Sequence, residues 1–419
     1  MTLERRKDLL TVVIGLIGGI KFRFIGTFYA GEILIYLLLF GVGFSYIKSN
    51  KYAWTLFKLA WVWFVSAIIT DFFVENDLIS SLKGEFNIVF FVLQFPVVYW
   101  LLFDKPERFL YYLIAIGIVS IPNLYLFGPE IDESNYGLMG ENIWLYYSFV
   151  PVVIALISWL YYKDKISAKT ACLMMITFGF YMLFHNSRNL FLTMTIAAVI
   201  LYQIDKLNSN DLTASVQIFK TKIVKIFLFM FVGMLAVSYI YETLASSGTL
   251  GEYAYQKYVR QSQSDNILEG GRSETFMGID LIKRSPVIGY GSFPIDEGDL
   301  FHKNYAYEHN LTYKSYPRIR KLPAHSHIVG AWMENGIGGG IFWAYVLVLL
   351  WKIFKSGAML AEPTLLPALL MTFTARIWEI LFSPFGLRVP ETFFLMFLTI
   401  LYVNFQNKTN SDPIQPSYE

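Results

Sequence analysis

Charge is what this chain has least of. Asp, Glu, Lys and Arg together make up 16% of its 419 residues, against roughly 25% in an average soluble domain. With 55% hydrophobic residues, repeated apolar runs of roughly twenty residues overrule the two or three soluble domains that length alone would suggest. The net charge of +2 argues against any general polyanion partner, nucleic acid included, so basic residues matter by where they stand. Cysteine is nearly absent. The single one, Cys172, lies in an apolar run, excludes an intramolecular disulfide and reads as a small lipid- or core-facing residue. A small-residue cleavage site is missing after Leu9–Ile20, which is therefore read as a retained first span. No internal repeat is visible.

Apolar length is what the chain has in excess. About twelve spans are predicted, near Leu9–Ile20, Ile33–Tyr46, Trp54–Phe73, Phe86–Phe103, Phe109–Leu126, Ile143–Tyr162, Thr170–Phe184, Leu190–Ile204, Ile223–Tyr241, Ile328–Ile353, Thr364–Leu381 and Thr392–Phe405. Aromatics, at 18%, suit the belts that line membrane–water interfaces. The fold class expected is an all-α integral membrane protein with one large helical loop. It divides into transmembrane helices over 1–241, the loop over 242–327, further transmembrane helices over 328–406 and a tail over 407–419.

Orientation follows from basic residues in the short connections. If Arg5, Arg6 and Lys7 are cytoplasmic, then Lys48 and Lys51, Lys105 and Arg108, and Lys163, Lys165 and Lys169 fall on the same side. So do Lys220, Lys222 and Lys225, Lys352 and Lys355, and Lys408. The opposite turns carry acids such as Glu130, Asp132 and Glu133. Both termini are expected in the cytoplasm. His185, Arg188, the long loop, Arg376 and Arg388 then meet at the outer face, where a site is expected.

The loop holds most of the unusual residues. Glu274 to Arg284 has the apolar spacing of an amphipathic helix, with Phe276, Ile279, Ile282 and Met277 toward one side, Ser273 as its cap and Pro286 as its stop. A long loop with helices and aromatics reads as a packed cap over the membrane domain.

Arginine is the first candidate for chemistry. Arg188, in His185-Asn186-Ser187-Arg188-Asn189, stands at an outer helix start, and Arg272 lies in a Gly-Gly-Arg-Ser turn. A guanidinium binds two phosphate oxygens at once and keeps its proton. The bland alternatives are an arginine snorkelling at the lipid interface and a surface salt bridge. Lys314, Arg318, Arg320 and Lys321 form a basic patch before the next span, suited to lipid headgroups or to an anionic substrate. His325 and His327 stand at the mouth of that span, where a neutral imidazole can take a proton from an attacking hydroxyl. Two histidines do not make a metal site, and nearby carboxylates lack ligand spacing. Glu334, an acid in an apolar helix, is a functional candidate by default. It lies about 13 Å along a helix from His325, so an arginine of a neighbouring span is a more natural partner. Gly336 and Gly340 have the spacing of close helix packing. Gly289-Tyr290-Gly291 has no strand before it, which excludes a dinucleotide fingerprint.

These residues, in this order, resemble the O-antigen ligase and O-antigen polymerase (Wzy-type) superfamily. The likeness rests on Arg272 and the following helix, on Ser285-Pro286 leading to Gly289-Tyr290-Gly291, and on His325-Ser326 with Trp332, Glu334, Gly336 and Gly339. Asn186-Ser187-Arg188-Asn189 is similar to the family's upstream serine–arginine motif. The resemblance implies a metal-independent glycosyltransferase of GT-C type, with no cofactor, in the bacterial inner membrane and with its site facing the periplasm. It would move a glycan from undecaprenyl diphosphate to an acceptor sugar, with a chain-length regulator and a flippase as further partners. Arg188 and Arg272 would hold the diphosphate, and His325 would assist the acceptor hydroxyl. Members often carry Asn, Ser or Gln after the histidine; here His327 follows two positions on, so the base is left between the two.

Three activities compete. A polymerase joins lipid-linked repeat units, and the His-Ser and Trp-x-Glu arrangement looks more like polymerases. A ligase performs the same chemistry on lipid A core. A flippase would usually show repeats and polar groups at mid-membrane. Metal-using membrane glycosyltransferases are disfavoured because the turn from Lys21 to Gly31 has no acidic pair.

Overall fold

Polar residues between the apolar runs start the helices. Asn50 accepts hydrogen bonds from the amides of Tyr52 and Ala53 at 3.0 and 3.1 Å, filling donors that a helix start leaves open. Asp77 does the same for Ser80 at 2.9 Å. The computed structural model describes residues 2–23, 27–127, 143–185, 187–206, 216–219, 221, 232–233, 239–252, 255, 258–259, 267–308, 320–322, 325–386 and 388–411.

Over these residues the chain is all-α apart from two short pairs of antiparallel strands. Helix α1 (Leu3–Leu16) is followed by β1 (Lys21–Arg23) and β2 (Thr27–Tyr29), which pair antiparallel. Then come α2 (Ala30–Val42), α3 (Lys51–Phe73), α4 (Leu78–Leu102), α5 (Arg108–Phe127), α6 (Ile143–Tyr162), α7 (Ala168–Phe184) and α8 (Arg188–Asp205). The loop region contributes α9 (Ile267–Arg284), β3 (Ile295–Asp296), α10 (Leu300–Glu308) and β4 (Arg320–Lys321), with β3 and β4 antiparallel. The chain ends with α11 (His327–Asn335), α12 (Ile337–Ser356), α13 (Leu366–Phe382) and α14 (Arg388–Ser411).

Five helices among the described residues are long and apolar enough to cross a membrane: Lys51–Phe73, Leu78–Leu102, Ile337–Ser356, Pro363–Phe382 and Arg388–Thr409. Ala30–Val42, Arg108–Asn123, Phe149–Tyr162 and Ala168–Phe184 are shorter apolar helices. The architecture is that of a multi-pass membrane protein. The span expected at Ile223–Tyr241 lies almost wholly outside the described residues.

Aromatic side chains hold the centre. Trp63 on α3, Phe91 on α4 and Phe342 and Trp343 on α12 are buried together, with the Trp63 and Phe342 rings stacked at 5.3 Å. Tyr112 and Phe109 on α5 stack on Phe393 and Phe397 of α14 at 3.8 and 4.4 Å. Lipid is as apolar as these side chains, so close packing and interhelical polar contacts, not water exclusion, select the arrangement. Two ionic knots supply those contacts. Arg108, fully buried, donates to Asp8 at 2.6 Å and to Asp104 at 2.7 Å, tying α1 to the α4–α5 turn. Arg388 donates to both oxygens of Glu32 at 2.6 and 2.7 Å and to Asn87 at 2.8 Å, tying α14 to α2 and α4.

Two expectations change. The single span Ile328–Ile353 is two helices, because the chain breaks at Gly336, whose φ of 72° ends α11 and starts α12. The amphipathic helix begins seven residues earlier than expected, so Gly270-Gly271-Arg272-Ser273 is helical rather than a capping turn. Its covered side is also different. Thr275, Met277, Gly278 and Leu281 are buried, while Phe276 and Ile279 are exposed. Which flank of α9 meets α11 decides this, and periodicity alone leaves that flank open.

Candidate functional site

The loop returns to the membrane domain through two glycine-dependent crossings. Ser285 to Gly291 lies across the α11–α12 break. The amides of Tyr290 and Gly291 donate to the carbonyls of Met333 and Glu334, each at 2.9 Å, and Ile337 N–H donates to Val287 at 3.0 Å. Trp332 Nε1–H closes the contact on the Pro286 carbonyl at 2.7 Å. A Cβ on Gly336 would stand 2.2 Å from the Val287 oxygen, and one on Gly289 would stand 2.7 Å from the Gly336 nitrogen. The proline–glycine motif is thus a docking strand. Its Tyr290 and Gly291 amides are engaged by helix carbonyls.

The α3–α4 turn clamps the same strand. Asp71 accepts from the Ser292 amide at 2.6 Å and from its hydroxyl at 2.8 Å, and Asn76 donates to the Ser292 carbonyl at 2.9 Å. Beyond it, β3 and β4 are braced by Asp296, which meets His302 Nδ1 at 2.5 Å and accepts from the Phe301 and His302 amides at 2.9 and 3.0 Å.

His325 and Ser326 are held between α9 and α13. The Ser326 hydroxyl donates to the Ile380 carbonyl at 2.9 Å and accepts from Val329 N–H at 3.1 Å, capping α11. Thr275 donates to the His325 carbonyl at 3.3 Å. The His325 Nδ1 contacts the neighbouring Glu274 carboxylate, and the two side chains are 56% and 38% exposed. His327 has the opposite fate. It is buried, its ring packed 4.7 Å from Trp343 and 5.5 Å from Phe385.

Arg188 is the first residue of α8, with its guanidinium 4.4 Å from the ring centre of buried Tyr241. Helix α13 links it to the histidine segment. Thr374 donates to the Thr193 carbonyl of α8 at 3.1 Å, while Ile380 of the same helix holds Ser326. Arg188 stands about 7.5 Å before Thr193, and Ile380 about 9 Å beyond Thr374, by helical rise. Both therefore come to the same end of the bundle. Beneath them, α8, α12 and α13 wall an apolar cavity of about 300 Å³, lined by Thr193, Ile196, Leu350, Phe373, Trp378 and Leu381 among others.

The remaining predicted residues lie as follows. Glu334 is half-buried on α11, and the charges that bear on it are Lys321 and Asp71. The arginine partner expected for it is not found among the described arginines of neighbouring spans: Arg376 pairs with Glu379 and Glu391, and Arg388 with Glu32. Lys321 is exposed in β4, its ammonium 4.6 Å from the Phe293 ring centre. Arg318 lies outside the described residues, as do the side chains of Arg320 in β4 and Arg272 in α9. Among the described residues no three His, Cys, Asp or Glu side chains converge as metal ligands would.

Two residues of the site escaped the sequence reading. Glu274 was legible only as part of an amphipathic helix, and Tyr241 only as the end of a span. Neither carries a local sign of the histidine or arginine it meets.

The described residues thus form a helical membrane bundle with an exposed imidazole, a guanidinium and an apolar cavity. The comparison with protein families gives a match over part of the chain. Residues 170–344 match the family described as O-antigen ligase, Wzy_C. The match runs from α7 through the loop to α12 and supports membership in the O-antigen ligase and polymerase superfamily. A comparison with curated proteins gives no match.

Proposed function

We propose that the protein is a membrane glycosyltransferase that polymerises oligosaccharide repeat units carried on undecaprenyl diphosphate at the outer face of the bacterial inner membrane. The observation that carries this reading is the position of exposed His325 at the Arg188 end of the bundle, beside the rim of an apolar cavity. A lipid-linked sugar needs those three things together: cations for the diphosphate, a base for the acceptor, and a place for the tail within the membrane.

In the reaction the acceptor hydroxyl oxygen attacks the anomeric carbon of the donor glycan. The carbon–oxygen bond to the diphosphate breaks, and the polyprenyl diphosphate departs with the bonding electrons. His325 takes the hydroxyl proton. The guanidinium groups of Arg188 and Arg272 neutralise charge growing on the leaving group, the role that preorganised dipoles and cations play at other transition states. Arg318, Arg320 and Lys321 are assigned to binding anionic headgroups or the donor diphosphate. Burial of His327 among aromatic rings favours His325 as the base. Glu334, next to the docking strand, keeps α11 and the loop in register.

The ligase reading uses the same residues with lipid A core as acceptor, and the family match fits either reading. Deleting the gene separates the two. Single-repeat glycans left on lipid A core mean a polymerase; absence of any attached glycan means a ligase. Purified protein given a lipid-diphosphate oligosaccharide in chelator should yield longer products. No glycosidic bond formed with either acceptor would sink both readings.

A further inference from the structure

We propose that Glu274 is a positioning residue for His325, fixing which imidazole nitrogen faces the acceptor and stabilising the protonated ring. The inference rests on the reading of His325 as the base. Neighbouring positions of α9 hold His325 at both ends: Glu274 engages Nδ1 of the side chain, and the Thr275 hydroxyl holds the main-chain carbonyl at 3.3 Å. From the other side, Ser326 is bonded to Ile380 of α13 at 2.9 Å. The backbone is therefore pinned between two helices, and the ring is turned by the carboxylate.

The chemistry follows from which nitrogen is engaged. With Nδ1–H donated to Glu274, Nε2 carries the lone pair and is the atom that accepts a proton. A carboxylate in this position also favours the imidazolium that forms as the acceptor hydroxyl loses its proton. An exposed ion pair contributes little to stability, so fold maintenance is a poor account of an acid held in register with its neighbour's grip on the same histidine. Other charged residues on the helices packed against α11 include Arg272, Asp280, Lys283 and Arg284 on α9, Asp71 on α3 and Arg376 and Glu379 on α13, with Glu334 on α11 itself. Arg376 is engaged by Glu379 and Glu391, and Arg388 by Glu32.

The test compares Glu274→Gln, Glu274→Asp and His325→Ala in detergent-purified full-length protein, with chain extension of a lipid-diphosphate oligosaccharide as the assay. Glu274→Gln should lower kcat by roughly ten- to a hundredfold, less than the ~10⁴-fold loss known for a buried carboxylate–histidine pair, because solvent screens this one. Donor KM should change little. The acid limb of the kcat/KM profile, which reports protonation of the base, should move to lower pH, and Glu274→Asp should recover part of both effects. Wild-type turnover in Glu274→Gln, or a loss of turnover with an unmoved acid limb, would overturn the proposal while leaving the base reading intact if His325→Ala is inactive. Activity retained by His325→Ala would instead remove the base reading itself.

Discussion

The guanidinium of Arg376 lies 3.1 Å from the Glu391 carboxylate, yet neither Glu391 oxygen has a hydrogen-bond donor in line. Glu391 is 1% exposed, and Arg376 divides its charge between Glu391 and Glu379. The pair joins α13, which carries Ile380 and so Ser326, to the start of α14. Opposite charges so enclosed stabilise only as a pair, because either one alone would remain desolvated.

Removing one partner should therefore cost more than removing both. Arg376→Met is expected to destabilise the protein by about 3–5 kcal/mol, seen as a lowered melting temperature in detergent. Arg376→Met combined with Glu391→Leu should recover most of that loss. A double variant no better than Arg376→Met would show that the charges are not coupled.

The glycine crossing gives a second outcome. Gly336→Ala meets the Val287 oxygen at 2.2 Å and forces a φ of 72° on a residue with a side chain. Strain of this kind is worth about 1–3 kcal/mol per residue before any clash. The docking strand should loosen, read as faster amide exchange at Tyr290 and Gly291. Gly386→Ala, where nothing stands within 4 Å, is the matched control and should leave melting unchanged.

The two histidines should separate cleanly. His325→Ala is expected to abolish chain extension with little change in melting, as its side chain is 56% exposed. Losing the His327 ring beside Trp343 and Phe385 opens a cavity, a change that typically costs about 2–5 kcal/mol for large core side chains. Turnover per folded molecule of His327→Ala should persist. The reverse pattern would make His327 the base.

At the anion site, Arg188→Ala and Arg272→Ala should each abolish extension while the protein still inserts. Tyr241→Leu removes the ring beneath the Arg188 guanidinium, a contact worth about 0.5–2 kcal/mol, and should raise donor KM a few-fold. Tyr241→Phe keeps the ring and should behave as wild type. Normal ladders from Arg188→Ala would remove its diphosphate role.

The loop carries its own acid dependence. Burial pushes the Asp296 carboxyl up, but bonds from His302 and from the Phe301 and His302 amides outweigh it and hold Asp296 below the usual carboxylate range. A depressed carboxylate contributes stability above its unfolded pKa, and that contribution is lost as pH falls through the folded value. Asp296→Asn should therefore weaken protection of the β3–β4 strand pair near neutral pH. The difference from wild type should vanish in acid, below the ordinary aspartate range. An equal difference at every pH would rule out titration of Asp296 as its source.

Much of the site was legible in local chemistry. Arg188 was read at a helix start and His325 and His327 at the mouth of a span, and helices begin there, after Ser187 and Ser326. Arg188 at a helix start, the amphipathic character of 274–284 and the packing role of the glycine cluster needed no long-range information. The break at Gly336 was missed because the apolar run continues unbroken across it; only the carbonyls of Val287 and Ile288, arriving from the loop, show why glycine is required there.

Sequence alone determined the membrane character, the alternation of basic and acidic connections and the ordered motifs that place the chain near the O-antigen ligases and polymerases. Hydropathy and capping act between neighbours, so they are visible in one dimension. Tertiary structure decided which histidine is exposed, which side of α9 is covered and that Glu274 stands beside His325. These depend on which segments, distant in sequence, share a boundary, and a side chain's surroundings exist only once that boundary has formed.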